Sequence, residues 1–358
     1  MLIALIILAI ALAATATLYI KERGKSDRLR RELSATSDDY KSDVQTLTER
    51  IEAAEKNATT LSRSAETLRH TVESREQESN RLRSSLEMSK MRRIDIIQSL
   101  VALENTMFTD AGHIKTMFSD FFLLNKPFET VGGDFYKFIS DGERILAACG
   151  NCGVSGEVGL IKGLQNVAML EDITRKNRLA DLQAGEILDH LRTKYARIAE
   201  HSDNRRSDGE DVPVNFTVCI IDQKQRTLSY AGAYGSLCLI RKAYPGTNRR
   251  EVDVHEYRGD RMNFAVSFGR RKNYTTEAIE LEKDDKIYLK TDGYANQRGG
   301  SSNARYGDQY LRQLLMKHAN EPMLEQKKAY EAEFDNWRGQ NRGNDILIIG
   351  LALKVAGK

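Results

Sequence analysis

The stretch DKIYLKTDGYANQRGG, residues 285–300, decides how the rest of the chain is read. Its first half reads as a strand, and its second half places Asp292 between Thr291 and Gly293 before closing on Gly299 and Gly300. A carboxylate at a strand end beside glycine is how a sheet scaffold offers a hard oxygen ligand to Mg²⁺ or Mn²⁺. Taken singly, such an acid is more often an ordinary turn residue. Working outward, two more acids share the setting. Asp134 follows Gly132 and Gly133 and precedes the strand pattern FYKFI (135–139), and Asp345 follows Gly343 and Asn344 and opens DILIIGLALKV (345–355).

Between these points the texture is of short strands and turns. RILAAC (144–149), VNFTVCII (214–221), TLSYAGA (227–233) and SLCLIRK (236–242) read as strands, with QKQR (223–226) as a hairpin turn. Helical patterns fall at about 157–176 and 181–200, at 308–319, and after Pro322, a residue suited to a first helical position. Hairpin-linked strands interspersed with helices predict an α+β fold with antiparallel sheets rather than a doubly wound parallel one. The loop HSDNRRSDGEDV (201–212) reads as a solvated insertion.

The front of the chain differs. Met1 to Ile20 carries no charged side chain, and about twenty apolar residues at ~1.5 Å each span a bilayer core. Lys21, Arg23, Lys25, Arg28, Arg30 and Arg31 follow, so the positive-inside rule predicts a single-pass anchor in the inner (cytoplasmic) membrane with the C-terminal domain in the cytoplasm. The rival is a cleaved signal peptide, suggested by ALAATA (11–16) but lacking a basic n-region. From Leu33 to Leu86 heptads follow. Leu33, Tyr40, Leu47, Ala54, Leu61, Leu68 and Leu82 share one seam position, and Val44, Ile51, Ala58, Ala65, Val72 and Leu86 share the other. This predicts a coiled-coil homodimer, with a solvated spacer helix as the alternative. The organisation expected is a transmembrane helix over 1–20, a cytoplasmic coiled coil over 21–91, a linker or switch helix over 92–108, and the folded domain over 109–358.

A hydrophobic content of 41% in 358 residues excludes a disordered chain, and 51 acids against 54 bases leave a net charge of +3, too little to indicate a nucleic-acid partner. Four cysteines make no disulfide framework and suit a reducing compartment. The six histidines lack ligand spacing, and no P-loop or Ser/His/Asp pattern occurs.

With Asp134, Asp292 and Asp345 in place, residues from about Ile97 to Val355 resemble the SpoIIE-type branch of the metal-dependent (PPM) Ser/Thr protein phosphatases. The resemblance rests on IQSLVALENTMF (97–108), FFLLNKPFETVGGDFYKF (121–138), AGAYGSLCLIRK (231–242), KDDKIYLKTDGYANQRGG (283–300) and NDILIIGLAL (344–353). It implies an α-β-β-α sandwich of two antiparallel sheets behind the membrane and coiled-coil helices. It also implies acids holding two Mn²⁺ or Mg²⁺ ions whose bridging hydroxide attacks a phosphoserine. Asp134 matches the first acid and Asp292 the acid of Thr-Asp-Gly, whereas the ligating first member of the closing Asp pair falls on Asn344, with Asp345 second. The family's Asp-x-x-Gly-His-Gly, laid on residues 148–153, puts the bridging acid at Ala148 and the histidine at Cys152.

Two acids are thereby lost, and the reading that follows is a pseudophosphatase that acts by binding a partner, with Mn²⁺ or Mg²⁺ held weakly or not at all. The resemblance suggests a phosphoprotein regulator of the anti-anti-sigma type as that partner. The alternatives are an active metal-dependent phosphatase with an altered site, and a structural membrane tether. Cys149 and Cys152, in CGNC, add a redox or zinc reading, against the blander one of two buried thiols.

Overall fold

The computed structural model describes residues 1–201, 215–242, 252–262, 264, 272–341 and 343–354. The 201–212 loop therefore lies, but for its first residue, outside the described residues. The chain divides into two units, Met1–Lys90 and Met91–Lys358.

Helix α1 runs without interruption over Leu2–Met107, so the expected switch helix is continuous with the coiled-coil segment rather than separate from it. The reason lies in composition: no proline precedes Pro127 and no glycine falls between Gly24 and Gly112, so nothing breaks the ladder of hydrogen bonds. Its first residues are long and apolar enough to cross a membrane. In the first unit the heptad side chains Leu33, Leu47, Ile51, Leu61, Leu68 and Leu82 are exposed. In the second unit Leu100 is buried, and Ile97, Val101 and Met107 pack beside it against the domain core. The short helix α2 (Ala111–Met117) is capped by Asp110, whose carboxylate accepts from the His113 amide at 3.0 Å.

Twelve strands follow among the described residues. One five-stranded sheet has the order β1 (Asp120–Lys126), β12 (Ile346–Ala352), β9 (Lys286–Lys290), β6 (Ser236–Lys242) and β7 (Val252–Arg258). The other has the order β2 (Asp134–Ser140), β3 (Arg144–Asn151), β4 (Asn215–Asp222), β5 (Thr227–Ala233) and β8 (Glu277–Glu280). Every pairing within them is antiparallel. A small ribbon, β10 (Arg298–Gly299) with β11 (Ala304–Arg305), stands apart. Strands β5 and β6 keep the bounds read from sequence, and Asp222 closes the expected β4–β5 hairpin by accepting from the Gln225 amide. Of the edge strands, β7 alternates only over Val252–His255 and β8 is four residues long, too little pattern to mark either from sequence.

Helices α3 (Gly156–Lys176) and α4 (Ala184–His201) pack on the second sheet, and α6 (Asp308–His318) and α7 (Met323–Arg338) on the first. Pro322 sits one residue before α7, as its cap. The sheets themselves meet through β3 with β9 and β2 with β12. The two-residue period of β12 serves both sides. Leu347, Ile349 and Leu351 join the core that includes Leu237, Leu239 and Leu289, while Ile346 and Ile348 join Tyr288, Leu311, Leu315 and Tyr330 under the helices. This is the α-β-β-α sandwich that the resemblance implies, and it has the antiparallel sheets that the strand and helix pattern predicts.

Candidate functional site

The strand register gathers the site at one end of the sandwich. In the second sheet Asp134 pairs with Asn151, and Asn151 with Asn215, so an acid and two amides form a row across β2, β3 and β4. In the first sheet Thr291 and Asp292 follow β9, and Asn344 and Asp345 precede β12. The Thr291 amide donates to the Leu347 carbonyl at 3.0 Å, which holds these two strand ends together. Gly133, just before Asp134, packs so tightly that a Cβ there would run into the Val154 carbonyl oxygen.

Three predicted acids therefore converge, and each is engaged differently. Asp134 is buried; its Oδ1 accepts from the Asn151 amide nitrogen at 2.5 Å and its Oδ2 from the Thr291 hydroxyl at 2.7 Å. Burial pushes its carboxyl up from 3.8 to about 7; the Asn151 and Thr291 hydrogen bonds oppose this, and the nearby charges of Asp345 and Asp292 add to it. Asp292 is exposed, and accepts from Asn215 and from Asn296, each at 2.8 Å. Asp345 is a structural latch: Oδ1 accepts from the Phe128 amide at 2.7 Å and Oδ2 from the Gly133 amide at 2.8 Å, fixing the β1–β2 loop. Asn344 turns its amide nitrogen to the Gly293 carbonyl, and its backbone N–H donates to the Gln297 side chain.

Ala148 does not face Asp134. That residue is fully buried in mid-strand, paired with Lys137 on one side and Val218 on the other, three residues from the strand end. The position facing Asp134 belongs to Asn151, which turns its amide nitrogen to Asp134 while its Oδ1 accepts from the Gly153 N–H at 2.6 Å. The sequence held the signal: counting outward in equal steps from the Gly142–Glu143 turn brings Asn151 opposite Asp134. Asn215, at the start of β4, carried no signal that a single sequence reveals.

The thiols occupy the interior. Cys149 and Cys152 are both buried and unbridged, and burial drives Cys149 well up and Cys152 up to about 12, which disfavours the thiolate that redox chemistry or zinc ligation uses. Cys152 Sγ instead accepts a weak hydrogen bond from the Asn166 amide.

The two divalent cations implied by the resemblance require oxygen lone pairs, yet the positions facing Asp134 and Asp292 present N–H groups from Asn151, Asn215 and Asn296. Among the described residues no group of three or more His, Cys, Asp or Glu side chains is placed to hold a metal ion. The donor set does not fit the pair of ions. Beside these carboxylates opens a cleft of about 470 Å³, lined among others by Ser155, Asn296, Asn344, Arg298 and Arg305.

Comparison with known proteins places this architecture. The SiaA-PP2C domain of Pseudomonas aeruginosa superposes with a TM-score of 0.62 at 21% identity, covering 74% of this chain and 98% of that one. The PP2C phosphatase domain of the cell fate determinant SpoIIE from Bacillus subtilis, solved with a fragment of its regulatory domain, gives 0.51 at 12% identity, covering 65% of this chain and 63% of that one. At these identities both show the fold. No curated protein sequence matches the chain. The family described as stage II sporulation protein E (SpoIIE) matches residues 163–354, a span that holds Asp292, Asn344 and Asp345 and exceeds half the chain. The chain belongs to the SpoIIE family, and its second unit is a SpoIIE-type PPM phosphatase domain.

Proposed function

We propose that this protein is a membrane-anchored pseudophosphatase, a SpoIIE-family domain that binds a phosphorylated regulator and does not turn it over. One observation carries the reading: the Asn151 amide nitrogen lies 2.5 Å from Asp134 Oδ1, in the place where catalysis by two metals needs a shared carboxylate. Replacing a bridging acid by an N–H donor removes both a ligand and a negative charge from between two cations. Even changes outside the ligand set cost about tenfold to a hundredfold in affinity or activity.

The apolar Met1–Ile20 followed by six cations supports anchoring with the domain on the cytoplasmic side, and the exposed heptad seam supports pairing with a second copy. The partner best suited to the resemblance is a phosphoprotein of the anti-anti-sigma type. The test is Mn²⁺-dependent hydrolysis of an aryl phosphate by the full chain in detergent, beside the repaired double variant Asn151→Asp, Asn344→Asp. The expected result is turnover by the repaired protein alone. Turnover by the natural chain, abolished by Asp134→Ala, would make it an enzyme and end the proposal.

A further inference from the structure

The ribbon β10–β11 sets Arg298 directly opposite Arg305. Cross-strand partners lie about 5 Å apart at their Cβ atoms, so like charges there repel. No acid among the described residues offsets this. Both side chains are exposed; Arg298 donates one N–H to the Asn303 carbonyl at 3.1 Å, and neither guanidinium forms an ion pair with a carboxylate among the described residues. Elsewhere the domain pairs its arginines readily, as with Arg241 to Asp285 and Arg93 to Glu157.

The ribbon is nevertheless held firmly. Gly299 packs so closely on α7 that a Cβ would strike the Trp337 carbonyl. The Gly300 amide donates to that carbonyl at 2.9 Å, the Trp337 indole donates to the Gln297 carbonyl at 3.0 Å, and Tyr306 packs edge-on to the Trp337 ring. A held ribbon thus carries two cations on the wall of the cleft, whose lining also includes Asn296, Asn344 and Ser155. Forked guanidiniums with neutral hydrogen-bonding groups around them match the three oxygens of a phosphate monoester, each arginine able to bind two of them.

We infer that Arg298 and Arg305 form the phosphate-recognition site of this domain, taking a phosphoserine or phosphothreonine of a protein partner in the cleft beside Asn296 and Asn344. The inference rests on the binding reading above and gives it an anchor: guanidinium charge, rather than bound cations, receives the phosphoryl dianion.

The experiment uses the full chain in detergent micelles at fixed salt, with calorimetric titration of three probes: inorganic phosphate, a short peptide carrying one phosphoserine, and the same peptide unphosphorylated. Phosphate release from the phosphopeptide with Mn²⁺ present is followed in parallel. The phosphopeptide is expected to bind more tightly than either other probe. Arg298→Gln and Arg305→Gln should each weaken it about tenfold or more, as loss of charge-assisted hydrogen bonds does, and the double variant should abolish it. Arg298→Lys, which keeps the charge and loses the fork, should fall between. Binding unchanged in the double variant overturns the inference and leaves the binding reading standing, as does equal affinity for the two peptides. Free phosphate binding as tightly as the phosphopeptide overturns the protein-borne source. Phosphate release by the natural chain overturns the binding reading, whatever the arginine variants do.

Discussion

The carboxylates and the arginines of this cleft are treated in opposite ways by the protein. Asp134, Asp292 and Asp345 each have both oxygens engaged by donors of the chain itself, whereas Arg298 and Arg305 stand opposite each other with no acid partner among the described residues. The difference teaches where interaction remains to be made with another molecule. On the binding reading proposed above, acids satisfied by asparagine, threonine and backbone N–H groups serve the scaffold, and the arginine pair is where a ligand gains binding energy.

The sharpest way to break this contrast is at Asp345. Asp345→Ala strips the acceptors from the Phe128 and Gly133 amides, and two stranded donors cost about 3 kcal/mol or more. Urea unfolding should report that loss; a change below about 1 kcal/mol would mean the latch is not structural.

Asp134 comes next. Its folded value of about 7 lies above the ordinary 3.8, so the folded state holds the proton more tightly than the unfolded one. Its contribution is therefore fully present below about pH 3.8 and is lost as pH rises through about 7. The ceiling on that loss is about 4 kcal/mol. With chelator present, unfolding at pH 5 and pH 8 should show the natural chain losing more stability than Asp134→Asn over that interval. Parallel pH profiles would show that the carboxylate is not burdened by burial.

The smallest effect is expected at the ribbon, where Arg305→Gln relieves a like-charge pair and should raise stability by about 0.5 kcal/mol without phosphate. A loss instead would mean that Arg305 is already paired within the protein.

Much of the sandwich is legible in the sequence because it rests on local pattern. Strands β5 and β6 declare themselves through alternation and turns, and Asp134, Asp292 and Asp345 through glycines at strand ends. What residue spacing alone passes over is register. In CGNCG the spacing of Cys and Gly repeats after three residues, so spacing does not separate Ala148 from Asn151, and hairpin pairing with Asp134 does. Arg298 and Arg305 are hidden likewise: seven positions apart in a glycine-rich turn, they become neighbours when Gly299 seats on Trp337 and the ribbon closes. The continuity of α1 could have been read from the absence of proline before Pro127 and of glycine between Gly24 and Gly112.

The most direct test of the account is a Mn²⁺ titration of the full chain, followed by the electron spin resonance of free Mn²⁺, beside the Asn151→Asp, Asn344→Asp variant. The account predicts no saturable binding in the natural chain at concentrations that saturate the repaired one. Saturable binding by the natural chain at the same concentrations, lost in Asp134→Ala, would contradict it.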